Sequence, residues 1–168
     1  MKKLLLFVVM FVMSVSLAFA QDDGLKFMDI PIDGPKSKMI KKLQEKGFKY
    51  NKRNDYLTGT FNGENVVIIV EDNREGKVWR ICILDVPYQS KRVIKTRFNN
   101  LLNQFENDSK YIKNRGEKIP EDEEINSDKK YDALFYQNIL GEPDINSFVR
   151  FMVRKINDRY SIWMFYEN

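Results

Sequence analysis

The stretch YLTGTFNGENVVIIVED, from Tyr56 to Asp72, contains the strongest structural signal in the chain. Two runs rich in β-branched and apolar residues flank the dipeptide Asn62-Gly63. An Asn-Gly pair accommodates the two positive φ angles of a type I′ turn, which joins neighbouring antiparallel strands. The stretch therefore predicts a β-hairpin with the strands YLTGTF and ENVVIIVED.

Other strands are predicted on both sides of this hairpin. The segment DDGLKFMDIPI (22–32) predicts one short strand after a frayed start, and KVWRICILDV (77–86) predicts a strand after the hairpin. Three more strands are expected near the C-terminus: YDALFYQ (131–137), SFVRFMVRKI (147–156) and RYSIWMFYE (159–167). An LGEPD turn and a tight Asn157-Asp158 turn are expected to join them.

The segment from Lys36 to Gly47 predicts a first helix, because its apolar residues recur with helical spacing. Asp33 or Ser37 can cap its start, and Gly47 is the expected stop. A second helix is predicted to open at Ser90. Its apolar residues fall at i, i+4, i+7, i+8 and i+11: Ile94, Phe98, Leu101, Leu102 and Phe105.

These elements predict an α+β fold, with a mostly antiparallel sheet and two helices packed on one face. The polar stretch of about 107–130 predicts a long surface loop. DIPIDGPKSKMIKKL (29–43) has an echo in DVPYQSKRVIKTRF (85–98), and both lie between a predicted strand and a predicted helix. The echo indicates a possible two-fold strand-helix-strands pseudo-repeat, and it favours a structural role for the junction.

Residues 1–20 have the pattern of a secretory signal peptide. Lys2 and Lys3 precede an apolar run, and Ala18-Phe19-Ala20 forms a small-x-small cleavage site. The apolar run is short for a membrane span and no second one follows. We therefore expect cleavage after Ala20, a mature single domain of residues 21–168 that does not span the membrane, and a location in the periplasm or outside the cell.

Composition excludes several kinds of catalysis. The chain contains no histidine, which removes Ser-His-Asp and Cys-His catalysis and most common zinc, copper and non-haem iron sites. Its one cysteine, Cys82, cannot form an internal disulfide and fits a small buried apolar residue. We expect no cofactor, no metal and no catalytic residue.

Two acidic features have weak functional interpretations. Asp29 and Asp33 could form a general acid-base pair, but aspartates before a helix commonly cap it. The run from Glu121 to Glu124 offers oxygen ligands for calcium, but it lacks the alternating ligands and glycine of a calcium loop. A solvated charged loop is the favoured interpretation.

Two features suggest an interaction surface. The region from Lys36 to Arg53 has eight basic residues against one acid, Glu45, and its basic side chains lie mostly off the apolar helix face. The last predicted hairpin is rich in aromatic residues, and strand alternation places Trp163 and Phe165 on one face and the two tyrosines on the other. The candidate surface consists of Lys38, Lys41, Lys42, Lys46, Lys49, Tyr160, Trp163 and Tyr166.

Several stretches together resemble a group of uncharacterised exported proteins of Bacteroidetes. They are LKFMDIPIDG (25–34), GTFNG (59–63), IKTRFNNLLNQFEND (94–108), KIPEDEEI (118–125) and RYSIWMFYEN (159–168). The resemblance runs over most of residues 21–168. It implies a secreted protein and no known catalytic role.

The leading hypothesis is a non-enzymatic exported interaction or binding module of the bacterial cell envelope. Its partner would be an envelope or extracellular protein or an anionic glycan, and nucleic acid is not expected outside the cell. One alternative is a carboxylate-dependent glycan hydrolase, which requires two acids that converge in a cleft. The other is a small-ligand carrier, which requires an enclosed apolar pocket near Trp163 and Tyr166.

Overall fold

The structure, a computed structural model, describes residues 24–126 and 128–168; the predicted signal peptide lies outside these ranges. Ten strands and two helices occur within them. They are β1 (Lys26–Phe27), β2 (Ile30–Pro31), α1 (Lys36–Glu45), β3 (Lys49–Asn51), β4 (Tyr56–Phe61), β5 (Glu64–Asp72), β6 (Val78–Asp85), α2 (Lys91–Glu106), β7 (Tyr111–Arg115), β8 (Asp132–Ile139), β9 (Glu142–Ile156) and β10 (Arg159–Glu167).

Eight strands form one antiparallel sheet, which confirms the predicted α+β class. The strand order is β3-β4-β5-β6-β10-β9-β8-β7. Each helix precedes four consecutive strands, and the last strands of the two groups, β6 and β10, pair at the centre. β1 and β2 form a separate two-stranded sheet. The strand-helix-strands repeat is therefore not confirmed, because the strand before α1 lies outside the main sheet.

The hairpin predicted at Asn62-Gly63 is confirmed. Phe61 pairs with Glu64, and Asn62 and Gly63 have φ angles of 49° and 80°. The turn at Asn157 is also confirmed, with a φ angle of 56°. The expected single strand in 22–32 is instead a hairpin of β1 and β2, since the chain reverses at Met28 and Asp29.

Both helices cover the same face of the sheet. Ile68, Ile83, Met164 and Phe151 are successive register partners across β5, β6, β10 and β9, so their side chains share one face. Phe98 of α2 packs on Phe151 with ring centroids 5.3 Å apart. The apolar face of α1 joins the same core through Met39, Ile40 and Leu43.

The termini of α1 differ partly from the expectation. Neither Asp33 nor Ser37 caps the helix, because Pro35 occupies the N-cap position and no side chain bonds to the helix start. The Lys36 N–H instead donates to the carbonyl of Gly76 at 3.3 Å, in the turn between β5 and β6. The predicted stop at Gly47 is confirmed, since Gly47 has a φ angle of 98°.

The stretch 107–130 is only partly the long loop that was predicted. Tyr111–Arg115 forms β7, the edge strand beside β8. Ile119, in the remainder, is anchored on α2, where Asn99 exchanges hydrogen bonds of 2.8 and 2.9 Å with its backbone. Ile119 and Ile125 are buried. Neither helix within the described residues is long and apolar enough to cross a bilayer.

Candidate functional site

The second face of the sheet, called the outer face here, carries neither α1 nor α2. Val67, Leu84, Trp163 and Met152 are successive register partners on this face, across β5, β6, β10 and β9. All four are partly exposed. A second row runs beside them: Ile69, Cys82, Phe165, Arg150 and Leu134.

This face is more apolar than a solvated sheet surface is expected to be. A sheet with one free face commonly alternates apolar and polar residues along each strand. Here the outward positions include partly exposed aliphatic and aromatic side chains on neighbouring strands: Val67, Ile69, Leu84, Tyr136, Phe148, Met152, Trp163 and Phe165. A contiguous exposed apolar patch is typical of a surface that binds another molecule.

Three arginines lie against the aromatic rings of this face. The guanidinium of Arg80 lies 5.8 Å from the ring centroid of Phe165, and that of Arg150 lies 5.3 Å from the same ring. Arg154 lies 5.8 Å from the ring of Trp163. Cation-π attraction favours these positions of the guanidinium groups over the rings.

Two glutamates compensate part of this positive charge. Arg80 Nε donates to Glu71 at 3.0 Å, while Glu167 lies 4.0 Å from both Arg80 and Arg150. No carboxylate of residues 24–126 or 128–168 lies within 4.0 Å of Arg154. The outer face therefore presents an unpaired cation beside Trp163.

Two nitrogen donors on this face lack acceptors. The indole Nε1 of Trp163 and the Nε of Arg150 are shielded from solvent and bond to none of the described residues. A shielded donor without an acceptor costs about 1–3 kcal/mol. The cost falls on residues of the outer face rather than on the core beneath the helices.

Cys82 lies at the centre of the outer face and is buried, as predicted. Its Sγ lies 3.4 Å from Glu71 Oε1. Burial and the nearby Glu71 carboxylate raise the pKa of the thiol to about 12. The thiol is protonated at neutral pH, so this geometry does not favour nucleophilic chemistry.

The structure separates the residues of the predicted interaction surface. Four of the lysines lie on the opposite side of the sheet from Trp163, and the two tyrosines lie in the core. Lys38, Lys41, Lys42 and Lys46 lie on or just after α1, on the helix side of the sheet. Lys49 and Trp163 lie in one row of the outer face, connected through Thr58, Val67 and Leu84.

The two predicted tyrosines, Tyr160 and Tyr166, lie on the opposite side of the sheet from Trp163. Tyr160 is 3% exposed and Tyr166 is 5% exposed, and both belong to the core beneath the helices. They were predicted to lie on an exposed face, but the packing of the helices buries the face of β10 that carries them. The arginines of the outer face were missed. The sequence signal for them was the spacing of Arg150 and Arg154 in SFVRFMVRKI, which places both on one face of a strand. This spacing becomes informative once β9 is known to pair with β10.

The predicted acidic features have other surroundings. Asp29 lines a cleft in which it is the one carboxylate among the described lining residues, and Asp33 is exposed outside that cleft. In the acidic run, Lys95 Nζ donates to the backbone carbonyls of Pro120, Glu121 and Glu123. These carbonyl oxygens face an ammonium group, which does not favour a calcium ion.

The cleft beside Tyr166 has a volume of about 440 Å³ and contains polar as well as apolar residues. It lies on the helix side of the sheet, because Tyr166 points toward the core and Trp163 points toward the outer face. Trp163 and Tyr166 therefore do not share a pocket, which does not favour the predicted form of the small-ligand carrier.

No protein-family model, curated protein or solved structure matches the chain.

Proposed function

We propose that the protein is a non-enzymatic, exported interaction module that binds a protein of the cell envelope or the extracellular medium through the outer face. The observation that carries this proposal is the row of partly exposed apolar residues next to Arg150 and Arg154. Tryptophan and arginine are the residues that most often dominate binding energy at protein interfaces. The signal-peptide pattern of residues 1–20 supports export.

The charges of the outer face favour a partner with an apolar centre and acidic groups at its edge. Arg154 has no carboxylate partner among the residues described, and it lies beside Trp163. An acidic group from a partner would pair with Arg154 while apolar side chains cover Trp163 and Met152. The partner would also shield the Arg154–Trp163 contact from water, which strengthens a cation-π interaction.

Site-specific photo-crosslinking tests this proposal. We would replace Met152, on the outer face, or Lys41, on the helix side, with p-benzoylphenylalanine and irradiate the envelope of the native organism expressing the full-length sequence. The proposal predicts a crosslink to one discrete protein from position 152 and none from position 41. Crosslinks from position 41 alone, or from neither position, would contradict it.

A pair of charge reversals provides the matched control. Arg154→Glu should abolish most of the crosslink from position 152, whereas Lys41→Glu should leave it unchanged. The side chains of Arg154 and Lys41 are exposed, and neither has a carboxylate of the described residues within 4.0 Å. Neither change should therefore unfold the protein. Equal effects of the two reversals would indicate non-specific attraction of negative charge.

A further inference from the structure

The turn between β8 and β9 has an unusual residue at its first position. Ile139 pairs with Glu142, so Leu140 and Gly141 form a two-residue loop with φ angles of 55° and 94°. A left-handed conformation is unfavourable for an L-residue with a bulky side chain, because the Cβ atom approaches the following carbonyl oxygen. Leu140 is also fully exposed, with a relative exposure of 101%.

The other two-residue turns of this chain show what this position normally contains. Asn62 and Asn157 occupy the first position of the β4–β5 and β9–β10 turns, with φ angles of 49° and 56°. Met28 occupies it between β1 and β2, but its side chain packs against the core. Leu140 is not an asparagine, which tolerates this conformation, and unlike Met28 it does not pack against the core to offset the strain.

A second apolar residue lies exposed on the same hairpin. Tyr136 pairs with Phe148 and Gln137 pairs with Asp144, so β9 bulges at residues 145–147. The bulge directs Ile145 outward, where it is 67% exposed. Leu140 and Ile145 are the two most exposed large apolar residues of the described chain, and folding does not account for either.

The hairpin adjoins the cleft of about 440 Å³ beside Tyr166. Leu140 lies at its edge, and the buried residues Leu25 and Tyr166 form its floor. None of the hydrogen bonds among the described residues involves the Tyr166 hydroxyl. The cleft thus offers a largely buried aromatic ring to a group that enters it, and the hydroxyl of that ring bonds to none of the described residues.

Charges on the hairpin and the cleft are complementary. The cleft is lined by Lys26, Lys110 and one carboxylate, Asp29, and no described carboxylate lies within 4.0 Å of either lysine amine. The hairpin end instead carries Glu142 and Asp144 and no cation. One molecule therefore displays an acidic apolar projection next to a basic cleft with an apolar floor.

We propose that this region binds a second copy of the chain about a two-fold axis. In this dimer the β8–β9 hairpin of each copy docks against the other copy. Leu140 of each copy enters the cleft of the other, and Glu142 lies near Lys110 of the opposite copy. A two-fold interface is self-complementary, so a projection and a cleft on one surface satisfy each other twice. The proposal uses the helix side of the sheet and is independent of the partner of the outer face.

Sedimentation velocity over a wide concentration range tests the proposal, with protein purified after expression of the full-length sequence. The protein should form a concentration-dependent dimer, and Leu140→Asn should weaken dimerisation by about tenfold or more. Because asparagine tolerates the turn, this variant should also have a melting temperature equal to or above that of the wild-type monomer at low concentration. Val93→Asn, which changes an exposed aliphatic residue of α2, should leave dimerisation unchanged.

A charge exchange distinguishes contact between copies from a general loss of stability. Lys110→Glu and Glu142→Lys should each weaken self-association, whereas an equimolar mixture of the two variants should form heterodimers that restore it. A monomer at every concentration would overturn the proposal. Dimerisation that is unaffected by Leu140→Asn, or a mixture no tighter than its components, would overturn it as well.

Discussion

The guanidinium of Arg97 donates to both carboxylate oxygens of Asp85, from Nε at 3.0 Å and from Nη2 at 3.3 Å. Asp85 is 3% exposed and Arg97 is 7% exposed. Arg97 Nη1 also donates to the carbonyl of Asn62 at 2.8 Å. One side chain therefore joins the end of β6, helix α2 and the β4–β5 turn. Burial raises the pKa of Asp85 even though Arg97 opposes the shift.

Removing the arginine should strongly destabilise the protein. Arg97→Met leaves the Asp85 carboxylate buried without its cation, which costs about 3–5 kcal/mol in comparable buried pairs. Urea unfolding followed by circular dichroism measures this loss.

The double variant Asp85→Leu/Arg97→Met provides the control, because it removes both charges. Its stability should recover much of the loss, since apolar replacement of a whole buried pair is often neutral. A double variant as unstable as the sum of its single variants would show that the two residues are not coupled.

A second prediction concerns stability in acid. Asp55 accepts hydrogen bonds from the Lys36 ammonium at 2.7 Å and from the Tyr50 hydroxyl at 2.8 Å. The bond from Lys36, and then that from Tyr50, hold the pKa of Asp55 below its ordinary value of 3.8. The pKa of Asp55 is lower in the folded state than in the unfolded state. The resulting stabilisation is therefore fully present above the unfolded pKa and is lost as the pH falls through the folded pKa.

Lys36→Met should therefore reduce the loss of unfolding free energy on acidification. Since Asp55 is half exposed, the difference should stay below about 1 kcal/mol. Urea midpoints at a series of pH values from neutral into the acid range measure it. Lys38→Met, which changes an exposed lysine of the same helix, should give a pH profile parallel to that of the wild type. A parallel profile for Lys36→Met would contradict the prediction.

The thiol of Cys82 should react slowly in the folded protein. Its pKa of about 12 leaves little thiolate at neutral pH, and the side chain is buried. Labelling with a disulfide reagent should be at least about tenfold faster in urea than in native buffer. Glu71→Gln removes a neighbouring negative charge and should speed native labelling. Equal rates in native buffer and in urea would show that Cys82 is accessible and reactive.

Gly59 is expected to be intolerant of any side chain. A Cβ atom at this position would overlap the ring of Phe48, which is buried. Gly59→Ala should cost about 1–3 kcal/mol through overpacking, measured as a shift in the urea midpoint. Adding Phe48→Leu should recover part of that loss, whereas Thr58→Ala on the same strand should have a small effect. Fully additive losses in the double variant would mean that the two residues do not meet.

Local patterns in the sequence were sufficient to predict most elements. The Asn62-Gly63 turn, the spacing of Ile94 and Phe98 in α2, and the stop at Gly47 are properties of a few neighbouring residues. Each pattern acts through backbone geometry or helical periodicity, so it needs no information about the rest of the chain. The short strands β3 and β7 were not predicted, because segments of three and five residues show too little periodicity.

The sequence also divided the last strand correctly into two faces, with Trp163 on one and Tyr160 and Tyr166 on the other. It did not indicate which face the helices cover. Both faces of β10 are rich in apolar and aromatic residues, so alternation alone gives two equivalent solutions. The helix packing decides between them and buries the tyrosines.

Only the tertiary structure determined the relationships between distant segments. Strand order places Arg150 beside Phe165, and helix packing brings Arg97 to Asp85. The tertiary structure also leaves Leu140 exposed at the edge of a cleft. Such contacts depend on register and on which surfaces remain uncovered, and these arise from the packing of the whole chain. The sequence by itself determined the elements and their apolar faces, while long-range packing decided which residues can meet a partner.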